Sequence, residues 1–197
     1  MLQSGNLDVS VVLPFGDHED VIGTAVQRVA AYLDERGLAF EILAVDDDSG
    51  DNSHAVLALV RSGDPRLAHV TEILTVPARS RQHGYEYGLL RARGAVVWLL
   101  DPNAAAGDLA PFDGAYQRVE AGERDVVVHK RRFSIVHRTR SGPLLSGIKG
   151  HGAQFHNRLA QRARLRGLTV EPAEAGWRSR PGGIRRLLSA LSHGLTY

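Results

Sequence analysis

Phe40-Glu41-Ile42-Leu43-Ala44-Val45 running into Asp46-Asp47-Asp48-Ser49-Gly50-Asp51 decides how this chain is read. A short apolar run of this kind predicts a buried strand of a parallel sheet. Carboxylates at the carboxyl end of such a strand stand where open α/β sheets bind ligands. Like charges at adjacent positions repel, so the cluster needs a reason. Part of that reason is local. Asp48 to Ser53 reads as a turn and a helix cap, with Asp51-Asn52-Ser53 offering oxygens to the free N–H groups of the next helix. Asp46 and Asp47 are then left for function.

Working outward, strand-like and helix-like stretches alternate. Val9-Ser10-Val11-Val12-Leu13 stops at Pro14, which cannot donate to a ladder. Residues 21–33 carry apolar side chains at helical spacing, closed by Arg36-Gly37. After the strand at 40–45 come a helix over 53–60, a strand over 71–76 and a helix over 80–93 with Gly94 as its stop. Ala95-Val96-Val97-Trp98-Leu99-Leu100 is another buried strand, and it too ends in a carboxylate, Asp101. A helix over 109–121, strands over 125–128 and 134–136, a small-residue loop over 141–152, a helix over 153–166, a strand over 168–172 and a terminal helix over 184–192 complete the pattern. This alternation predicts an α/β fold with a Rossmann-like, mostly parallel sheet flanked by helices. No repeat or low-complexity linker interrupts it, so one domain over 1–197 is expected.

The bulk properties narrow the class. The 197 residues are 43% hydrophobic and contain no Cys, which excludes disulfides and thiolate metal sites. Met1 to Ser10 lacks a basic-then-apolar leader, and no apolar run approaches the roughly 20 residues that span a bilayer, so a cytoplasmic protein is expected. The net charge of +2 conceals an asymmetry: residues 1–128 carry 10 Lys+Arg against 20 Asp+Glu, and residues 129–197 carry 14 against 2. A basic C-terminal third suits a phosphate-rich partner. Arg158, Arg162, Arg164 and Arg166 also fit a plain solvated helix face. Nucleic acid is not the expected partner, because aromatic residues are only 6% and no stacking motif accompanies the charge. The nine histidines show no tight ligand spacing, which argues against zinc. Trp98 reads as core, and Trp177 as the better candidate for ligand contact.

Two apolar strands ending in Asp suit a nucleotide site in which one carboxylate accepts hydrogen bonds from base or ribose and another holds a divalent cation against a diphosphate. Neither G-x-G-x-x-G nor G-x-x-x-x-G-K-[ST] follows a strand, which counts against dehydrogenases and P-loop enzymes. A sugar-phosphate nucleotidyltransferase is disfavoured by the missing Gly-rich N-terminal loop. What remains is a fold that grips a diphosphate through a metal.

Here the residues carry a resemblance. Val9-Ser10-Val11-Val12-Leu13-Pro14 followed by Glu19, then Val45 to Asp51, then Gly88-Leu89 through Ala92-Arg93-Gly94 to Leu99-Leu100-Asp101, resembles a family 2 glycosyltransferase, most like the dolichyl- or polyprenyl-phosphate sugar synthase branch. The resemblance covers most of the chain. It implies a GT-A fold, a nucleoside diphosphate sugar donor, Mg²⁺ or Mn²⁺, and inversion at the anomeric carbon. It divides the domain into a nucleotide-sugar half, 1–103, and an acceptor half, 104–197. Pro14 and Glu19 would line the nucleoside pocket, Asp46 and Asp47 would bind base and ribose, and Arg81 would lie near the diphosphate. Asp101, with a catalytic role, and Asn103 stand in place of the two-carboxylate metal motif. Lys130, Arg131, His156, Arg180 and Arg185 are the expected acceptor or phosphate contacts, with a polyprenyl phosphate as the acceptor that the branch implies.

The departures are specific. Gly16 replaces an aromatic, Asp48 a turn Gly and Asn157 a late carboxylate, while Glu86 sits where Arg is usual. Asn103 makes one metal ligand neutral, which weakens cation binding. An alcohol acceptor needs a general base, and Glu171, Glu174 or a histidine would have to serve. A phosphate monoester, with a second pKa near 6, needs none. The competing reading is a binding-only relative that keeps the nucleotide pocket without turnover. Ile184, Leu187, Leu188 and Leu191 share one face of the terminal helix beside Arg185 and Arg186, which packs on the domain or rests on an anionic membrane. Liposome flotation decides between these: recruitment by anionic vesicles, lost on raising the salt, is the outcome expected of a membrane-resting helix.

Overall fold

The computed structural model of the chain describes residues 7–76, 83–129 and 132–173. Seven strands form one sheet in the order β3-β2-β1-β4-β6-β5-β7. They are β1 Val9–Phe15, β2 Phe40–Asp46, β3 Thr71–Thr75, β4 Val96–Leu100, β5 Val126–His129, β6 Phe133–His137 and β7 Val170–Ala173. β1 lies parallel to both β2 and β4, β2 to β3, and β5 to β7. β6 runs antiparallel to β4 and β5. The expected mostly parallel α/β sheet is therefore present. The exception has a simple cause, since only residues 130–132 separate β5 from β6. So short a link permits a hairpin but not a parallel crossover.

The helices are α1 Ile22–Asp34, α2 Ser53–Gly63, α3 Pro65–Val70, α4 Gly84–Leu89, α5 Pro102–Ala105, α6 Pro111–Glu120, α7 Arg138–Ser141 and α8 Gly152–Leu165, with a 3₁₀ turn at Gly142–Leu145. Alternate side chains of the strands feed two cores, one on each face of the sheet. Val9, Val11, Leu13 and Phe15 of β1 join Trp98 of β4, Ile22, Val26 and Val29 of α1, and Phe112 of α6. Val12 and Leu99 join Tyr85 and Leu89 of α4 and Phe155 and Leu159 of α8 on the other face. Trp98, read as core, is fully buried.

Several boundaries differ from expectation for identifiable reasons. β1 does not stop at Pro14 but runs to Phe15, pairing Pro14 with Val45 and Phe15 with Asp46. The Phe15 carbonyl accepts from Asp47 N–H on the β2 side at 2.8 Å. Pro14, one residue earlier, turns its missing N–H toward β4, where pairing has already ended at Val12 and Leu99. The stretch after α2, expected to be a turn, starts α3 instead: Asp64 caps it by accepting from Arg66 and Leu67 N–H, and Pro65 occupies the first turn. Proline is favoured there because its absent N–H would have no partner anyway. α4 is shorter than the helix expected over 80–93 and begins at Gly84; residues 80–82 lie outside the described residues. The loop expected over 141–152 holds a 3₁₀ turn and buries Leu145 and Ile148. The terminal helix and Trp177 lie outside the described residues. Among the described residues, no helix is long and apolar enough to cross a membrane.

The amino ends of the central strands are tied by a buried polar knot. Glu41, 3% exposed, accepts from Ser10 Oγ at 2.6 Å, from Arg93 N–H at 2.8 Å and from Arg93 Nε at 2.6 Å. Ser10 Oγ in turn accepts from Gly94 N–H at 2.7 Å. Gly94 must approach the β1 backbone closely to do this, and a Cβ there would lie 2.4 Å from Ser10 N and 2.5 Å from the Val9 carbonyl carbon. Backbone cannot swing aside as a side chain can. Gly94→Ala should therefore cost about 2–3 kcal/mol, read as a lower urea midpoint at unchanged slope.

Candidate functional site

Strand order reverses around β1, whose neighbours β2 and β4 are reached by connections leading to opposite sides. At such a switch point the loops beyond the strand ends part and leave a crevice. A cleft of about 450 Å³ lies there, lined by Pro14 to His18 at the end of β1 and just beyond it, Asp47, Asp48 and Gly50 after β2, Asp101 and Pro102 after β4, Tyr85 of α4, and His151 and Gly152 at the start of α8.

The structure sorts the acidic cluster by residue. Asp46 is buried and turned into its own loop, where Oδ1 accepts from Ser49 N–H at 2.9 Å and Ser49 Oγ at 2.8 Å. It shapes the turn and does not line the cleft. Asp47 does line it, with Oδ2 3.4 Å from Nδ1 of His151. Asp48 takes a left-handed backbone with φ of 71°, the conformation for which the family resemblance expects glycine. Asp51 accepts from Ser53 N–H at 2.9 Å and from the Ser53 hydroxyl at the start of α2. These bonds favour its charged form and hold its pKa below the ordinary carboxylate value. The turn-and-cap reading thus holds for Asp48 and Asp51, and extends to Asp46.

Glu19 lies away from the cleft lining. Its carboxylate accepts from Asn52 N–H at 3.1 Å, while its own N–H donates to Asp51 at 3.0 Å, a reciprocal clasp between the loop after β1 and the start of α2. Pro14 lies on the cleft wall. Asp17, His18, Tyr85, His151 and Gly152 were not anticipated as lining residues. The left-handed Asp17, with φ of 56°, has no signature in an isolated sequence.

Asp101 caps α5, its Oδ1 accepting from Asn103 N–H at 2.9 Å, with Pro102 in the first turn. Asn103 Nδ2 stands 3.2 Å from His18 Nε2, and His18 Nδ1 is 2.6 Å from the Gly16 carbonyl. The Asp-Pro-Asn stretch is therefore knitted to the end of β1. On the far side, Asp101 Oδ2 faces Gly152, where a Cβ would come within 3.2 Å. The Asp101 carboxylate beside an open gap suits a hard divalent cation, whereas Asn103 is exposed and is not among the residues that line the cleft. Among the described residues no three His, Asp or Glu converge as a ready-made metal cage. Asp101 and Asn103 accordingly fit such an ion only as partial ligands.

His156, expected at the acceptor, is fully buried and cannot touch a ligand in the cleft. Its Nδ1 lies 2.8 Å from Ser134 Oγ and its Nε2 3.5 Å from the Tyr85 hydroxyl. Burial drives its pKa down to about 3, against a smaller upward pull from the Arg132 backbone carbonyl. Burial, with the Asp101 charge second, also pushes the Tyr85 phenol well above its usual value. Glu171, considered as a base, is instead paired with Arg118 and Arg124. Arg158, Arg164 and Arg166 are solvated, as a plain helix face requires. Arg81, Lys130, Arg131, Arg180 and Arg185 lie outside the described residues.

An open α/β sheet with carboxylates at its switch point defines the class of fold whose ligands bind beyond the strand ends. Within that class, residues 10–179 match the family described as Glycosyl transferase family 2, and the chain belongs to that family. No curated protein matches the chain. Solved structures share its GT-A fold. The mannosyltransferase PcManGT from Pyrobaculum calidifontis, in complex with GDP-Man and Mn²⁺, superposes with a TM-score of 0.66 at 14% identity, over 86% of this chain and 55% of that one. Glucosyl-3-phosphoglycerate synthase from Mycobacterium tuberculosis, with Mn²⁺, UDP and glucosyl-3-phosphoglycerate, gives 0.60 at 15% identity over 89% and 73%. Mannosyl-3-phosphoglycerate synthase from Rubrobacter xylanophilus gives 0.53 at 19% identity over 67% and 53%. This chain thus spans little more than half of the first and third of these proteins.

The depressed His156 pKa has a stability consequence. An unfolded histidine titrates near 6.5, and the buried one near 3. Between those values the unfolded chain holds a proton that the native chain lacks, so stability falls as pH is lowered through that window and is fully recovered above 6.5. Urea unfolding at pH 7 and pH 5 should show a loss about 2 kcal/mol larger in wild type than in His156→Gln.

Proposed function

We propose that the protein transfers a glycosyl group, with inversion, from a nucleoside diphosphate sugar to a phosphate-bearing acceptor, assisted by Mg²⁺ or Mn²⁺. The observation that carries this reading is that Asp47 and Asp101, at the ends of two different strands, open into one cleft at the switch point. Asp47 with Pro14 forms the nucleoside end, and Asp101 with Asn103 the diphosphate end. Asp46 supports the first through its turn. Asp101 and Asn103 would hold a divalent ion, which when bound would supply Lewis-acid stabilisation of the departing charge. The acceptor oxygen bonds to the anomeric carbon as the bond to the diphosphate breaks, and the nucleoside diphosphate leaves with the electron pair.

A phosphate-bearing acceptor is supported by the charge distribution and by the fate of the candidate bases. His156 is buried and Glu171 is committed to two arginines, Glu174 lies outside the described residues, and His18 and His151 are the bases left in the cleft. An acceptor phosphate already ionised near neutral pH removes the need for any of them. Polyprenyl phosphate satisfies this chemistry, as the branch resemblance implies. Glucosyl-3-phosphoglycerate synthase, a fold neighbour, has been crystallised with phosphoglyceric acid, so a soluble phosphate-bearing molecule is the other candidate, one whose hydroxyl would still require a base. Lys130, Arg131, Arg180 and Arg185 remain the proposed phosphate contacts, and Arg81 the proposed diphosphate contact. A second reading, nucleotide-sugar binding without turnover, is favoured by the engagement of Asp101 as a helix cap and of Asn103 with His18.

Calorimetric titration with UDP and GDP, with and without Mn²⁺, alongside a donor-hydrolysis assay, tests the proposal. Metal-dependent binding and slow donor hydrolysis are expected in the wild type. Asp101→Asn keeps a competent helix cap but removes the charge. It should lower hydrolysis on the order of 100-fold while the fold persists. Binding without hydrolysis would favour the second reading, and no nucleotide binding in the presence of Mn²⁺ would sink both.

A further inference from the structure

His156 sits early in α8, on the acceptor side of the fold, and yet its polar contacts lead to Asp101. Its Nε2 faces the Tyr85 hydroxyl at 3.5 Å, and Tyr85, only 2% exposed, forms part of the cleft floor within the field of the Asp101 carboxylate. Its Nδ1 contacts Ser134 Oγ at 2.8 Å, and Ser134 pairs with Leu99, two residues before Asp101. The Arg132 carbonyl, which draws a proton onto the His156 ring, also accepts the Asp101 N–H at 3.2 Å. The ring is further held edge-on against Tyr85, with centroids 5.3 Å apart, while Tyr85 stacks on Phe155 at 4.2 Å.

A neutral imidazole suits this place because it offers one donor and one acceptor at once. A charged ring would present two donors and leave the Tyr85 hydroxyl without an acceptor. Leucine would fill the space but answer neither polar neighbour. The main-chain position of Asp101 and the floor beneath its side chain therefore both depend on one buried side chain from the opposite half of the fold.

Resting on the glycosyltransferase reading above, we propose that His156 is a positioning residue for the cation-binding end of the cleft: through Tyr85, Ser134 and the Arg132 carbonyl it holds the Asp101 carboxylate in register. It touches neither donor nor acceptor. Partners of this kind behind a metal ligand commonly change metal affinity by about 10–100-fold when removed.

Calorimetry of the wild type, His156→Leu and His156→Asn with UDP and GDP, in Mn²⁺ or in EDTA, reads this directly. Expected for His156→Leu is about a 10–100-fold loss of Mn²⁺-dependent nucleotide affinity, with the affinity in EDTA within about twofold of wild type. His156→Asn, which keeps a polar group near Ser134, should recover part of the loss, and it serves as the reporter if the leucine variant does not fold. An equal loss with and without Mn²⁺ would mean that His156 only packs the core, and unchanged Mn²⁺-dependent affinity would remove any positioning role. Either result overturns the inference while the wild-type titration still stands. A wild type that binds no nucleotide with Mn²⁺ overturns the functional reading and this inference together.

Discussion

Crowding of like charge at the strand ends is the constraint on which the rest of the site depends. Asp17, Asp47, Asp48 and Asp101 share the lining of one cleft, and no Lys or Arg is among the described residues that line it. Two unit charges 4 Å apart repel by about 4 kcal/mol at an effective dielectric of 20. A diphosphate cannot enter such a place unaccompanied. Among the described arginines, Arg36 pairs with Asp113, Arg93 with Glu41, and Arg118 and Arg124 with Glu171, while the exposed Arg132 adjoins the Asp101 backbone. Compensation would come from an arriving cation, from His18 and His151, from Arg132, or from basic residues beyond the described segments. In the proposed reaction, cation and diphosphate would favour each other's binding, because each relieves the repulsion the other would meet, and linkage makes that favour reciprocal.

The same economy of groups appears in Asp101, where one carboxylate has two duties. Oδ1 caps α5 and Oδ2 looks into the cleft. Capping fixes the rotamer, so the second oxygen is aimed before any ligand arrives. Preorganisation of this kind is worth most where charge must be met at a defined point. Asn103 as the partner lowers the negative charge presented to a cation, which matches a site already rich in carboxylates.

The parallel half of the sheet was legible in sequence because both faces of its strands are buried, so β4 is an unbroken apolar run and β2 one broken only by Glu41, each meeting Asp at its carboxyl end. The antiparallel β6 was not legible as such, since direction is set by the length of a link and not by the strand itself. α3 and α5 escaped notice because each is a single capped turn or two behind a proline, too short for periodicity to appear. Within the site, the opening of Asp47 and Asp101 into one cleft could be anticipated from their positions at strand ends. Which carboxylate faces inward could not: Asp46 and Asp47 are neighbours on alternate sides of one backbone, and Ser49 decides that Asp46 serves the turn. His156 was noticed for its chemistry and misplaced as an acceptor contact, because burial on the inner side of α8 depends on how that helix meets β5 and β6. Glu19 was placed in the pocket by resemblance, while its carboxylate serves the start of α2.

Gly152, with φ of 44°, marks where the two halves of the chain face each other across Asp101. The gap there is the width of an absent methyl group. Drift at this position is therefore unlike drift elsewhere in the loop before α8. Any side chain there would strain a left-handed backbone and meet the Asp101 carboxylate oxygen at 3.2 Å. That oxygen would have to give by a few tenths of an ångström while the sheet and both cores stayed as they are.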